Sequence, residues 1–283
     1  MKSIYSIKGM QRISRRSKSE GMTIALVPTM GALHEGHLSL IRHAHKISHI
    51  AIVSIYVNPA QFGPGEDFSK YPRSLGRDKR LMKKLGVDYL FLPTDKIIYP
   101  NDYETFISLE KLSRVLEGKF RPLHFRGVAT IVAKLFNIVQ PDIAIFGQKD
   151  FQQSVIIKKM VKDLNMPVKI VVGPTVREKS GLAISSRNEY FNAEQKQRAT
   201  VLYDGLMLAR RIISEGERDA RKIRQAIKRL INKVSGTRID YVAITDNENL
   251  QPLKNLQGKF TISLAVWLDE VRLIDNISVD LKE

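Results

Sequence analysis

The sequence predicts an α/β domain built on a doubly wound parallel sheet, followed by a smaller α+β domain. Three observations lead there. Short β-branched runs, such as Ile24 to Val27 and Ile50 to Val57, alternate with helical patterns. These runs are apolar throughout, as in strands buried on both faces. Near Pro174 the alternation stops, and two charged helices precede three strand-like runs.

The elements follow in order. The first nineteen residues carry Lys2, Lys8, Arg12, Arg15, Arg16 and Lys18, several serines and no acid. That is the composition of a mitochondrial transit peptide. A strand begins at once with no cleavable spacer, so the segment reads as a surface helix with Ile4, Ile7 and Met10 among its apolar positions. Ile24 to Val27 is a strand ending at Pro28. A glycine-containing turn and a helix carrying Leu38, Leu40, Ile41 and Ala44 lead to the strand Ile50 to Val57, which completes a βαβ unit. Leu75 to Leu85 reads as helix and Tyr89 to Leu92 as strand. Val128 to Val139 is a strongly apolar helix, Ile143 to Phe146 a strand, Phe151 to Leu164 a helix and Val168 to Val172 a strand. This alternation is Rossmann-like. A boundary near residue 175 divides the chain into residues 1–175 and 176–283. In the second part, Ala193 to Ser214 and Ala220 to Val234 read as amphipathic helices. Ile239 to Thr245, Phe260 to Trp267 and Val271 to Ile274 read as strands.

Composition bounds the chemistry. The chain has 283 residues, 43% hydrophobic and 27% charged, enough for a sizeable core without staples. It has no cysteine, which excludes disulfides, thiolate metal sites and a thiol nucleophile. The net charge of +17 favours anionic partners such as nucleic acid, anionic membrane or phosphorylated small molecules. No apolar run approaches the ~18 residues of a membrane span.

In an open α/β sheet, ligands gather outside the carboxyl ends of the strands. The first such segment is PTMGALHEGH, residues 28–37. Gly31 permits a tight turn, Gly36 leaves room for a ligand, and His37 falls in the first helical turn, where free amides attract phosphate. His34, three residues earlier, can turn its ring to the same anion. Gly31 to Gly36 has P-loop spacing, but His37-Leu38 replaces the Lys-Ser/Thr pair, and no Gly-x-Gly-x-x-Gly is present. A second segment carries the neutral amides of Asn58 and Gln61. The Gly63-Pro64-Gly65 stretch after it reads equally as a mobile lid or an ordinary turn. A third, Gly147-Gln148-Lys149-Asp150, sets a lysine at a strand–helix junction. A fourth, Ile184-Ser185-Ser186-Arg187, offers two hydroxyls and a guanidinium as an anion grip. Two readings stand as alternatives: a nucleotidyltransferase acting on another substrate, and a basic nucleic-acid-binding protein. The last lacks any RRM, KH or zinc-finger signature.

The motifs PTMGALHEGH (28–37), VNPAQF (57–62), KYPR (70–73), HFRGV (124–128), FGQKDFQQ (146–153), PTVRE (174–178), GLAISSRN (181–188) and RLIDN (272–276) resemble, in order, those of the pantoate–β-alanine ligases. That family is also called the pantothenate synthetases and belongs to the HIGH-type nucleotidyltransferases. Gln148, Ile184 and Leu123 depart from residues common in the family. The resemblance implies ATP as a substrate with accompanying Mg2+ and no dedicated protein metal cage. It implies a pantoyl adenylate that β-alanine then attacks. It implies that His34, His37, Lys149 and Arg187 act on the phosphates, with His37 as proton donor. It implies an ATP site formed by Met30, Gly31, Ala32, Leu33, His34, Glu35, Gly36 and His37, by Gly147, Gln148, Lys149 and Asp150, and by Val176, Ile184, Ser185, Ser186 and Arg187. Gln61 and Gln153 are implied to hold pantoate, and Gln61 and Asn58 β-alanine. Residues 176–283 would close over the ATP site. A cytoplasmic homodimer without membrane or specific nucleic-acid partners is the expected assembly.

Overall fold

A computed structural model describes residues 1–281. The strands β1 (Lys2–Ile4), β2 (Ile24–Thr29), β3 (Ile50–Ile55), β4 (Tyr89–Phe91), β5 (Ile143–Gly147) and β6 (Lys169–Gly173) form one six-stranded sheet in the order β1-β4-β3-β2-β5-β6. Every pairing in it is parallel. The chain runs outward from β2 through β3 to β4, then returns to add β5 and β6 on the other side. The strand order therefore reverses between β2 and β5, and the carboxyl ends of those strands frame a crevice.

Alternation along each strand divides the core into two layers. Ile24, Leu26 and Ile52 pack with α1 (Ile7–Ser19) and, further along the chain, with a long apolar helix over His124–Val139. Ala25, Val27 and Val53 pack with α2 (Glu35–Ile47) and α3 (Leu75–Lys84). The short helices α4 (Asp95–Ile98) and α5 (Glu117–Phe120) precede that long helix, which is α6, and α7 (Phe151–Asp163) follows β5. Helices on both faces bury the central strands β2 and β3 almost completely, which accounts for their apolar character.

The second sheet is antiparallel, in the order β7 (Thr237–Asp246), β8 (Gly258–Leu268), β9 (Val271–Leu281). Its core packs against α8 (Ala193–Ala199), α9 (Val201–Ser214) and α10 (Ala220–Ile231). Asp219 caps α10 by accepting from the amides of Arg221 and Lys222. The fold is thus the doubly wound α/β domain followed by a small α+β unit that the patterning predicts.

Several details differ from the sequence reading, among them a last strand that runs on to Leu281 and a β3 that ends at Ile55. Ile4 lies in β1, paired with Phe91, and helix begins only after the Ser6 cap. β2 runs on through Pro28 to Thr29; its pairing with β5 covers only Ala25 and Leu26, so the missing proline N–H breaks no bond there. α6 begins at His124, four residues before the apolar run. The helix expected over 193–214 is two, parted at Thr200.

Candidate active site

The turn after β2 is built around a buried carboxylate. Gly31 has φ +83 and Ala32 φ 49. In that conformation the amides of Ala32 and Leu33 point together at Asp78 on α3, 3.0 and 2.8 Å from its two oxygens. Asp78 is 1% exposed. Burial pushes its carboxyl above the ordinary range although those two amides pull the other way. Thr29 Oγ1 accepts from Gly31 N at 3.2 Å, which closes the turn.

This turn sets His34 at the N-cap of α2 and His37 in its first turn, with ring centroids 4.0 Å apart. The His34 backbone N–H donates to His37 Nδ1 at 3.4 Å, so the His37 proton resides on Nε2. His34 Nδ1 is buried with no partner. Burial is the main cause that lowers both imidazoles, His34 to about 4 and His37 to about 3; Lys149 adds to both, and His34 to His37. Both rings are therefore neutral at pH 7. The space beside Gly36 holds the His34 ring, 3.0 Å from where a Cβ would stand.

Asn58 caps the short turn Pro59–Gln61 and is 1% exposed. Its Nδ2 donates to Gln61 Oε1 and to Gly127 O, each at 3.1 Å, and its Oδ1 accepts from Tyr99 Oη at 2.9 Å. Asn58 thus orients Gln61. Gln61 is held further by His124, whose Nδ1 donates to the Gln61 carbonyl at 3.0 Å. Burial, then Arg121, lowers His124 to about 3, so it too is neutral. α6 presses directly on this turn: a Cβ at Gly127 would lie 2.2 Å from Ala60 O.

The next stretch, Gly65 to Tyr71, forms one wall of the cleft and is tied to both halves of the molecule. Glu66 pairs with Arg121, and Asp67 pairs with Arg187 through two bonds of 2.9 Å. Tyr71 Oη lies 3.2 Å from Ser186 Oγ. Burial raises the Asp67 carboxyl, but Arg187 outweighs it and leaves the group below its ordinary value.

Across the crevice, Lys149 stands in the turn after β5, one-fifth exposed and 3.7 Å from Asp150. The Gln153 side chain makes no hydrogen bond among the described residues, whereas Gln152 is fully engaged with Glu117 N, Leu112 O and Val115 O. From the second unit, Ser185 caps the turn bearing Ser186 and Arg187, and Ile184 N donates to Val176 O at 3.0 Å.

These groups surround one cleft of about 1070 Å³, at the upper end of ligand-site sizes and roomy enough for a nucleotide beside a second small molecule. Met30, His34, Gly36, His37, Asn58 and Gln61 line it, as do Gly147, Lys149, Asp150 and Gln153, and Val176 with residues 184–187. Five of the expected ATP contacts do not line it. Gly31, Ala32 and Leu33 shape the turn behind the histidines. Glu35 pairs with Arg42 on the half-exposed side of α2, and Gln148 donates to Asn276 and Ser278 on β9. Sequence reasoning missed Asp78, Asp67, Arg121 and His124. Asp78 had one signal, its i, i+4 spacing with the buried Met82 on α3.

The sequence and the fold both have relatives among known proteins. The family described as Pantoate-beta-alanine ligase matches residues 2–278. A pantothenate synthetase of Caldicellulosiruptor bescii is 50% identical over 279 residues, 99% of each chain. The crystal structure of pantothenate synthetase from Thermus thermophilus superposes with a TM-score of 0.93 at 41% identity, covering 98% of this chain and 99% of that one. A pantoate-beta-alanine ligase from Francisella tularensis, solved with β,γ-ATP and β-alanine, gives 0.79 at 36% identity, covering 98% and 97%. A match that runs from β1 into β9 takes in every segment that builds the cleft, and the chain belongs to the pantoate-beta-alanine ligase family.

Proposed function

We propose that this chain joins pantoate to β-alanine at the expense of ATP. A pantoate carboxylate oxygen attacks the α-phosphorus, the bond to the bridging oxygen of the β-phosphate breaks, and pyrophosphate leaves. The β-alanine amine then attacks the acyl carbon, loses its proton, and expels AMP. A carboxylate is already a nucleophile, so the chain supplies position and charge stabilisation without a covalent intermediate. The observation that carries this reading is the convergence of His34, His37 and Lys149 at the β2/β5 crevice, in one cleft with the amides of Gln61 and Gln153.

His37 Nε2–H and His34 donate hydrogen bonds to the phosphate oxygens. His37 does so as a neutral imidazole, which is a narrower role than that of a proton donor. Lys149 and Arg187 supply charge, Arg187 after leaving Asp67, and Ser185 and Ser186 donate from the other side. Gln61 and Gln153 hold pantoate, and Gln61 borders β-alanine. Asn58 serves through Gln61. Residues 176–283 form the part that closes over ATP. Among the described residues no cluster of three metal-binding side chains is present. One carboxylate in the cleft, Asp150, suits an Mg2+ that arrives on the phosphates, where the ion would neutralise charge. The family resemblance supports a cytoplasmic homodimer, and light scattering tests the assembly.

Purified protein is expected to catalyse pantoate-dependent exchange of labelled pyrophosphate into ATP without β-alanine. Equal exchange with unrelated acids, or exchange only after β-alanine is added, sinks the proposal.

A further inference from the structure

We propose that Asn276 is a positioning residue that acts through Lys149, although it belongs to the second sheet. This rests on the reading that Lys149 meets the nucleotide phosphates. Lys149 Nζ makes no hydrogen bond among the described residues; its nearest charged partner is Asp150 at 3.7 Å. The backbone of the single turn Gln148–Asp150 therefore sets the point from which the ammonium group projects. That backbone is held from β9. Asn276 Nδ2 donates to Gln148 O at 3.0 Å and to Lys149 O at 2.9 Å. Asn276 Oδ1 accepts from Gln148 Nε2 at 3.1 Å, which fixes the orientation of the Asn276 amide.

Asn276 is itself immobilised. It is 4% exposed. Its carbonyl accepts from Arg177 at 3.2 Å, and Arg177 also grips Asp275 through bonds of 2.6 and 2.8 Å. A rigid strand of the second sheet thus dictates the geometry of a charged group in the first. Only when the two units are docked is the Lys149 turn fully bonded.

The test is a double-mutant cycle on pyrophosphate exchange. Asn276→Ala is expected to lower kcat about 10–100-fold, the scale of a misplaced catalytic group, with KM for pantoate unchanged. In a Lys149→Ala background the same substitution is expected to change the rate little, because the group it positions is gone. Melting temperatures of all four proteins accompany the rates. Equal losses in both backgrounds overturn the proposal, since a merely structural residue subtracts the same factor whatever stands at 149. An undiminished rate in Asn276→Ala also overturns it. An undiminished rate in Lys149→Ala alone overturns instead the reading of Lys149, so the two failures are distinct. If Asn276→Ala does not fold, Asn276→Asp carries the same cycle, because it keeps the volume and the acceptor but removes both donated bonds.

Discussion

Asp67 holds the guanidinium of Arg187 through two hydrogen bonds of 2.9 Å, across 120 residues of sequence. Under the proposed function Arg187 meets a phosphate, so ATP and Asp67 would compete for one cation. Asp67→Asn removes the competing charge and keeps the shape. It is expected to lower the dissociation constant for ATP about threefold to tenfold, in keeping with about 1 kcal/mol for a partly exposed pair. Arg187→Ala is expected to raise it. Calorimetric titration of ATP measures both, and an unchanged constant in Asp67→Asn would falsify the competition.

Three imidazoles give stability a definite pH dependence. His34 is lowered to about 4, His37 and His124 to about 3, each chiefly by burial. In the unfolded chain they take protons below about 6.5. Unfolding therefore takes up protons between about pH 6.5 and pH 4, and their contribution to stability falls as pH drops through that window. Melting temperature followed from pH 7 to 4.5 is expected to decline less steeply in His37→Gln than in the parent chain. Parallel declines would mean that His37 does not contribute to the slope.

Asp78 accepts from two backbone amides that have no other partner in the turn. Asp78→Ala leaves both buried N–H groups unpaired, at roughly 1–3 kcal/mol each. A lower melting temperature and a displaced histidine pair are expected, with exchange activity reduced accordingly. Asp78→Asn keeps one acceptor oxygen and should recover part of both losses. Equal damage from the two substitutions would point to charge rather than hydrogen bonding.

Gln153 offers the cleft a side-chain amide that no group among the described residues engages. A site that pairs a substrate hydroxyl rejects an analogue lacking it. The parent chain is expected to prefer pantoate strongly over a deoxy analogue, and Gln153→Ala to narrow the ratio of specificity constants about tenfold to a hundredfold, the value of one buried bond. The Gln61→Ala ratio should narrow as well. A ratio untouched by both substitutions removes the glutamines from hydroxyl recognition.

Much of this was legible because the signals are local. The runs Ile24 to Val27 and Ile143 to Phe146 announce buried strands, and the two histidines three apart after the first of them both line the cleft. What was not legible is nonlocal. β1 is three residues long, and its identity as strand depends on pairing with β4 far along the chain. Asp78, Asp67 and Arg121 carry ordinary surface chemistry in sequence. Their roles arise because the fold brings them to Leu33, Arg187 and Glu66. Asn58 reads as a free amide until Gly127 and Tyr99 are seen against it. Glu35 and Gln148 flank true cleft residues, and adjacency along the chain did not translate into a shared direction.

The contact between Gly127 and the turn at Ala60 has an implication for the language of mutation and selection. A Cβ there would meet Ala60 O at 2.2 Å, Ala60 C at 2.4 Å and Gln61 N at 2.5 Å, all backbone atoms, with no flexible side chain to give way. Position 127 therefore tolerates one letter of the alphabet. A library randomised at that codon, selected for growth without supplied pantothenate, should return glycine alone, because even alanine pushes the seat of Gln61 off helix α6.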